Sequence, residues 1–376
     1  MMAENGPKKK VIQVTECFAY GTAKSLKQLS GLLKDEYEIV VFYCRRDGTE
    51  SEIKDIDSDI TWVEMSSEGL FRHIANILKV RSFIDKNTHA IHGHSSYGGM
   101  YARLASIGKH VPYVFYSPRA YSFLRQDINW VVRQVFLIVE ICLSVLGRTV
   151  SCGPAEFNIG KKFTKRIFNI NNAVVIKDRP SSHNNDDEFK VISVGRICHQ
   201  KAFDTFVDVA KNLSEIKFTW IGSSDLDYRQ SVIDKKGGLP DNINIIEYMD
   251  QSDLFEEISQ SSLIFHPSRW EGLSRTLIES LALGIPIVTS TCQSNLDCLH
   301  PRRDAKDSRG EYDNGYACKT VEEYVNAIKL MKDDPKRLAR MSQASYTLAK
   351  REFNVNVTNK RWLDLYKGEL NSEYTR

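Results

Sequence analysis

Long hydrophobic runs are missing from this chain of 376 residues. The longest covers residues 135–146 and has Glu140 inside it, short of the ~20 residues that span a bilayer. It reads as a buried helix. The polar, basic first ten residues and the short apolar stretch 11–14 do not make the core of a secretory signal. The eight cysteines form no closely spaced metal-type pairs and no tight disulfide framework. They read as free thiols in a reducing cytosol. No repeat of solenoid length and no low-complexity tract occurs, and no Asp-x-Asp pair is read after a strand as a metal–diphosphate clamp. With 42% hydrophobic and 26% charged residues, the composition excludes disordered and fibrous classes.

What the chain has is alternation. Stretches at 11–14, 38–43, 60–63, 90–94, 113–116 and 149–152 read as strands. Helical patterns at 23–33, 70–85, 97–108 and 128–147 lie between them. Residues 177–188 are polar, carry Pro180 and lack periodicity, so they read as a linker. A second series follows, with strands at 190–194, 218–221, 243–246 and 262–265 and helices at 203–213 and 252–260. Alternating strands and helices imply parallel sheets, with ligands bound beyond the carboxyl ends of the strands. The loops 17–22, 92–97 and 117–125 are therefore places to look for chemistry.

Two motifs in the second half carry most of the functional signal. The first is Ser268-Arg-Trp-Glu271-Gly272-Leu273-Ser274-Arg-Thr276-Leu277-Ile-Glu279. It is a polar loop entering a helix capped by Ser274, closed by Gly284 and Pro286 and followed by a strand at 285–289. Two carboxylates flanking an anion-attracting helix start suit sugar hydroxyls better than phosphate. Were both helical, they would lie ~12 Å apart, beyond the roughly 5–9.5 Å of a glycosidase pair. The other motif is Gly195-Arg196 with Gln200-Lys201 after a strand. Arg offers a planar fork and Lys a point charge to a diphosphate.

Together these residues resemble the group 1 family of nucleotide-sugar glycosyltransferases with the GT-B fold. Ile221-Gly222, Phe265-His-Pro-Ser, Ala282-Leu-Gly284-Ile-Pro286 and Asn314-Gly315-Tyr316 extend the resemblance. His92-Gly-His94-Ser-Ser96 and Tyr116-Ser-Pro-Arg-Ala-Tyr-Ser-Phe-Leu124-Arg125 look like loops of bacterial surface-polysaccharide members. The resemblance implies an α/β chain of two Rossmann-like domains facing each other across a cleft. Residues 1–178 would be the acceptor-side domain and 179–356 the nucleotide-sugar domain. A helix at about 357–376 would pack back on the first.

The same resemblance implies that Arg196 and Lys201 hold the donor diphosphate, Glu279 the ribose and Glu271 the donor sugar. Gly21, Gly195, Gly272, Leu273, Ser274, Thr276 and Leu277 would line the phosphate and sugar, and Gly222 and Tyr248 the base. His94 would face the reacting centre. The chain departs from the family pattern at several places. Only Gly21 stands in the first loop, Ala202 replaces a usual Gly, and Arg119-Ala120 stands for His-Gly. Residues 292–297 lack the familiar Gly-Gly and Glu.

The expected activity is retaining transfer of a hexose or N-acetylhexosamine from a nucleotide diphosphate, UDP first, in cell-envelope polysaccharide assembly. The acceptor would be a saccharide or lipid-linked saccharide. Neither a metal nor another cofactor is expected, and no nucleic acid partner. A nucleotide-sugar epimerase of similar fold, or a non-catalytic sugar-nucleotide-binding protein, are the alternatives. Residues 1–180 carry a net charge of +7 against −4 for 181–376. Weak association of a cytoplasmic protein with the anionic inner face of the cell membrane is therefore expected.

Overall fold

A computed structural model describes residues 7–46, 48–54, 56–177, 188–300 and 310–370. Most of the expected linker, with the boundary at 178/179, lies outside these residues. The chain divides into two compact units. One comprises residues up to 124, 128–172 and those from 356 on; the other comprises 125–127 and 173–355.

Among the described residues the first unit holds seven strands: β1 (Lys10–Thr15), β2 (Glu38–Cys44), β3 (Thr61–Met65), β4 (Thr88–His94), β5 (Tyr113–Ser117), β6 (Arg148–Ser151) and β7 (Ile167–Asn169). Its helices are α1 (Tyr20–Leu33), α2 (Thr49–Ile53), α3 (Arg72–Ser82), α4 (Ser95–Ala105), α5 (Trp130–Leu143) and α6 (Pro154–Gly160). The second unit contains β8 (Lys190–Val194), β9 (Lys217–Ile221), β10 (Ile243–Ile246), β11 (Leu263–His266), β12 (Ile287–Ser290), β13 (Glu311–Tyr312) and β14 (Gly315–Cys318). Its helices are α7 (Phe203–Lys211), α8 (Leu226–Lys236), α9 (Gln251–Ser259), α10 (Arg275–Ala282), α11 (Gln293–Leu296), α12 (Val321–Lys332) and α13 (Pro335–Glu352). Helix α14 (Val355–Lys367) returns to the first unit.

The sheet orders are β3-β2-β1-β4-β5-β6-β7 and β10-β9-β8-β11-β12-β14-β13. Every pairing is parallel except β13 with β14. Strands buried on both faces explain the unbroken apolar runs: β1 and β2 are buried almost throughout. In both sheets the strand order reverses beside the first strand, between β1 and β4 and between β8 and β11. The chain leaves these two strands in opposite directions, which opens a crevice at their carboxyl ends.

The first core has Phe18, Leu26, Leu29 and Leu33 packed with Trp362, Leu365 and Tyr366 of α14 on one sheet face. Val80, Tyr101, Ala102 and Ala105 pack on the other. In the second unit Phe203, Phe206 and Trp220 pack with Phe265, Tyr324 and Met331. Phe206 meets the rings of Phe218 and Trp220 edge-on at 5.5 and 5.0 Å.

Two expectations fail here. Residues 92–97 are not a loop, because β4 runs directly into α4. Ser95 makes the corner with φ +60. Glu16 satisfies the exposed helix start, accepting from Ser95 Oγ at 2.6 Å and from the Gly98 amide at 2.7 Å. The stretch 135–146 is also not a buried helix. The only buried residue of α5 is Glu140, which receives Arg103 at 3.2 Å and the Tyr116 hydroxyl at 2.5 Å. The apolar side chains of α5 point outward instead: Val135, Ile138, Val139 and Ile141 are exposed. Hydropathy alone sets no direction, and the buried ion pair fixes the helix with its apolar side to solvent.

Helix α4 lies unusually close to the sheet because glycines face it. A Cβ on Gly93 would stand 2.5 Å from the Gly98 carbonyl oxygen, and one on Gly99 2.1 Å from the Tyr116 ring. Gly99→Ala should therefore destabilise the protein by roughly 1–3 kcal/mol through overpacking. Gly31→Ala, in α1 with nothing within 4 Å of the new Cβ, should be neutral or gain about 0.5–1 kcal/mol. Thermal unfolding of both variants checks this. Equal effects would show that helix propensity, not contact, governs both sites.

Candidate donor-binding site

The site forms where two loops of the second unit follow β8 and β11 at the reversal of strand order. Gly195 leaves β8 with φ +143 and Gly222 leaves β9 with φ +141. A Cβ on Gly222 would stand 2.5 Å from the Gly195 carbonyl oxygen, so only glycine lets these turns touch. Trp220 Nε1 donates to the same carbonyl at 2.7 Å. The chain then makes a 3-10 turn, His199–Lys201, and enters α7 through Ala202, whose φ of +58 is left-handed. Ala202 thus occupies backbone that glycine adopts more easily.

The loop from β11 to α10 is fastened onto this turn. The Arg269 amide donates to the Gln200 carbonyl at 2.8 Å. Gln200 Nε2 returns a bond to the Trp270 carbonyl at 2.9 Å. The Arg269 guanidinium reaches the His199 carbonyl and Asp204, each at 2.6 Å.

At the centre Lys201 Nζ lies 2.6 Å from Glu271 Oε1. His266 Nε2 stands 3.4 Å from the same oxygen and 3.1 Å from Ser268 Oγ. Burial alone would raise the Glu271 carboxyl, but the Lys201 charge and the His266 contact outweigh it and hold the group at about 2. Burial, then the Lys201 charge, lowers His266. At neutral pH the centre holds an ionised Glu271 carboxylate and a neutral His266 imidazole beside Lys201 Nζ. Arg196, half-buried, makes no side-chain hydrogen bond or ion pair among the described residues.

Ser274 caps α10, its Oγ accepting from the Leu277 amide at 3.5 Å. Glu271, Gly272, Leu273, Ser274 and Leu277 are buried, and Thr276 is half-buried. The first amides of a helix have no intrahelical carbonyl to bond, so this start offers donors beside Lys201 and Glu271. Glu279 is buried one turn further on, and Arg275 Nε stands 3.3 Å from it. Gly222 and Tyr248 follow the neighbouring strands β9 and β10. Tyr248 is exposed, with its hydroxyl donating to Asp250 at 2.7 Å.

His94 and Gly21 belong to the first unit. Gly21 lies in the first turn of α1. His94 is fully buried at the end of β4, donating from Nε2 to Gln13 Oε1 at 2.6 Å and stacking on His92 at 4.1 Å. Burial, and then its neighbour His92, lower the ring well below the usual range for histidine. His92 is itself held by Tyr366 at 2.8 Å and Ser117 at 2.9 Å. Ala120, where the family pattern has Gly, carries φ +86, and its amide donates to Glu156 at 2.8 Å.

Several participants carry no sequence assignment. His266 stands inside the quoted motif as a polar residue ending a buried strand, and that position was the available signal. Ser294 donates to the Glu271 carbonyl at 2.8 Å, and Asn295 to Ser290 at 3.0 Å. The stretch 292–297 therefore supports the Glu271 loop through α11. One reading needs correction: an Asp-x-Asp pair does follow a strand, Asp225-Leu-Asp227 after β9. Asp225 is the N-cap of α8, accepting from the Tyr228 amide at 3.1 Å. It works as a helix cap.

Comparison with known proteins fits this geometry. Residues 174–348 match the model of the family described as Glycosyl transferases group 1. An uncharacterized glycosyltransferase of Haemophilus influenzae is 24% identical over 70% of this chain and 72% of its own length. The O-antigen biosynthesis glycosyltransferase WbnH of Escherichia coli is 25% identical over 57% of this chain and 62% of its own. The crystal structure of HepE from Anabaena in complex with UDP and glucose superposes with a TM-score of 0.79. It covers 96% of this chain and 100% of that one at 14% identity, a likeness of fold: two Rossmann-like domains of the GT-B type. The family model matches the stretch that carries the Lys201–Glu271 centre, and the chain is similar there to the group 1 glycosyltransferases.

Proposed function

We propose that this protein is a glycosyltransferase that moves a hexose or N-acetylhexosamine from a UDP-sugar to a saccharide or lipid-linked saccharide, with retention at the anomeric carbon. The observation that carries the reading is the turn after β8, which carries Arg196 and whose Lys201 meets Glu271 in the loop entering α10. Arg196 makes no ion pair among the described residues, and Lys201 lies against Gly195 and Glu271. A diphosphate at the helix start would draw on both cations and on the positive end of the helix dipole. The bond from C1 to the diphosphate oxygen breaks, and its electron pair stays on the diphosphate. The acceptor oxygen bonds to C1 from the same face, and its proton leaves with the diphosphate. Glu271, ionised and held rigidly, suits a donor-sugar hydroxyl. Glu279 suits the ribose. These roles take no metal.

UDP as the nucleotide is supported by the ligand of the Anabaena protein. Envelope polysaccharide as the product is supported by the O-antigen role of the E. coli relative. A cytoplasmic protein touching the inner membrane face would meet a lipid-linked acceptor there, and no helix among the described residues is long and apolar enough to cross a membrane. A thermal-shift panel of nucleotide sugars tests the reading, because a ligand bound only by the folded state raises its stability. UDP-sugars should stabilise, and a panel with no stabilising member would overturn it.

Arg196→Ala should lower turnover ~10²–10³-fold with little loss of stability. Lys201→Ala should lower turnover similarly and also destabilise by up to about 3 kcal/mol, because Glu271 is left buried and uncompensated. Adding Glu271→Gln to Lys201→Ala should restore stability but not turnover. Near-normal turnover in both single variants would remove the diphosphate role.

Glu279→Ala should weaken donor affinity more than it lowers kcat, since ribose contacts act equally in ground and transition states. Calorimetry with UDP-sugar measures this, and unchanged affinity would contradict the assignment.

Turnover should continue undiminished in excess EDTA. Activity that EDTA removes and magnesium restores would contradict cation-only stabilisation.

A further inference from the structure

Helix α5 is built inside out. Its charged Glu140 is buried against Arg103 and Tyr116, while Trp130, Val131, Val135, Ile138, Ile141 and Val145 of α5 and the turn after it are exposed. An apolar helix face left in water implies something that covers it. The surrounding charge has one sign. Residues 128–166 carry six Lys and Arg and only two acids, Glu140 and Glu156, and both acids are buried. Lys161, Lys162, Lys165 and Arg166 are exposed. Their segment is joined to α5 through aromatic packing: Phe163 meets Tyr121 at 5.6 Å and Phe123 at 6.3 Å, and Arg133 of α5 donates to the Phe123 carbonyl at 3.0 Å. Helix α3, on the same sheet face beyond α4, adds exposed Phe71, Ile74 and Leu78 beside Arg72 and Lys79.

We propose that α5 docks the protein on an anionic lipid surface, lying in the membrane plane with its apolar side in the headgroup–acyl boundary and the 161–166 cations on the headgroups. An exposed face without polar side chains fits lipid better than a protein partner, whose interface would carry about one hydrogen bond per 100–200 Å². A helix of 14 residues is ~21 Å long, too short to span but ample to lie flat. Trp130 at its start is of the type found at membrane interfaces. Association then has an apolar part that salt does not screen, beyond what the net charge of the first half supplies. The inference rests on the membrane-facing acceptor proposed above for its purpose, but not for its test.

Co-flotation of the full chain with vesicles of phosphatidylcholine, with and without phosphatidylglycerol, tests it. The parent should bind anionic vesicles and keep a measurable fraction bound at high salt. Val135→Glu with Ile138→Glu should cut partitioning by roughly tenfold or more, with UDP affinity and transfer to a soluble acceptor analogue unchanged. Lys161→Ser, Lys162→Ser, Lys165→Ser and Arg166→Ser combined should reduce binding to anionic vesicles only. Vesicles should shift the emission of the parent to the blue, but much less that of Trp130→Phe. Equal flotation of parent and double Glu variant would overturn the proposal. So would a parent that dimerises in sedimentation while the variant is monomeric, since the face would then cover a second copy. Loss of soluble transfer in the parent would instead count against the enzymatic reading and leave the docking result standing.

Discussion

The contact between Lys201 and Glu271 joins the two loops that the second sheet brings together at its strand reversal. Seventy residues of sequence separate the partners. What closes the distance is topology, with β8 and β11 adjacent and their carboxyl ends on one side. Around the pair, Arg269 with Asp204 and Gln200 with the Trp270 carbonyl fix the loops without flexible spacers. The carboxylate of Glu271 stays ionised against its burial only because Lys201 and His266 face it. An incoming diphosphate would compete for Lys201, so the same pair that holds the loops is the one a donor would redistribute.

Close backbone approach is the second constraint. Gly195 and Gly222 let the turns after β8 and β9 touch, and Gly93, Gly98 and Gly99 let α4 sit on its sheet. The departures from the family pattern belong to the same physics. Ala202 and Ala120 sit at positive φ, where a Cβ costs roughly 1–2 kcal/mol. The chain accepts strain where glycine would relieve it, and in both cases hydrogen bonds from neighbouring segments hold the turn.

The alternation of strands and helices was legible because strands buried on both faces write unbroken apolar runs. The Ser274 cap, the Gly195 and Gly222 turns and the Glu271 loop were legible because turn and cap chemistry is local. The orientation of α5 was not, since its direction is set by Arg103, 37 residues before Glu140. Nor was the role of Glu16, which caps a helix more than 70 residues later. His266 was visible as a residue but not as a partner, because its contact with Glu271 depends on loop curvature. Asp225 shows the converse, a motif-like spacing whose geometry is that of a helix cap.

The central claim is that the turn 195–202 and the loop and helix start 271–278 form one nucleotide-diphosphate site. Hydrogen exchange of the backbone amides with and without UDP addresses it directly. The account predicts protection concentrated in those two segments, with the turn after Gly222 following. Exchange unchanged there at saturating UDP, or protection confined to the first unit, would contradict it.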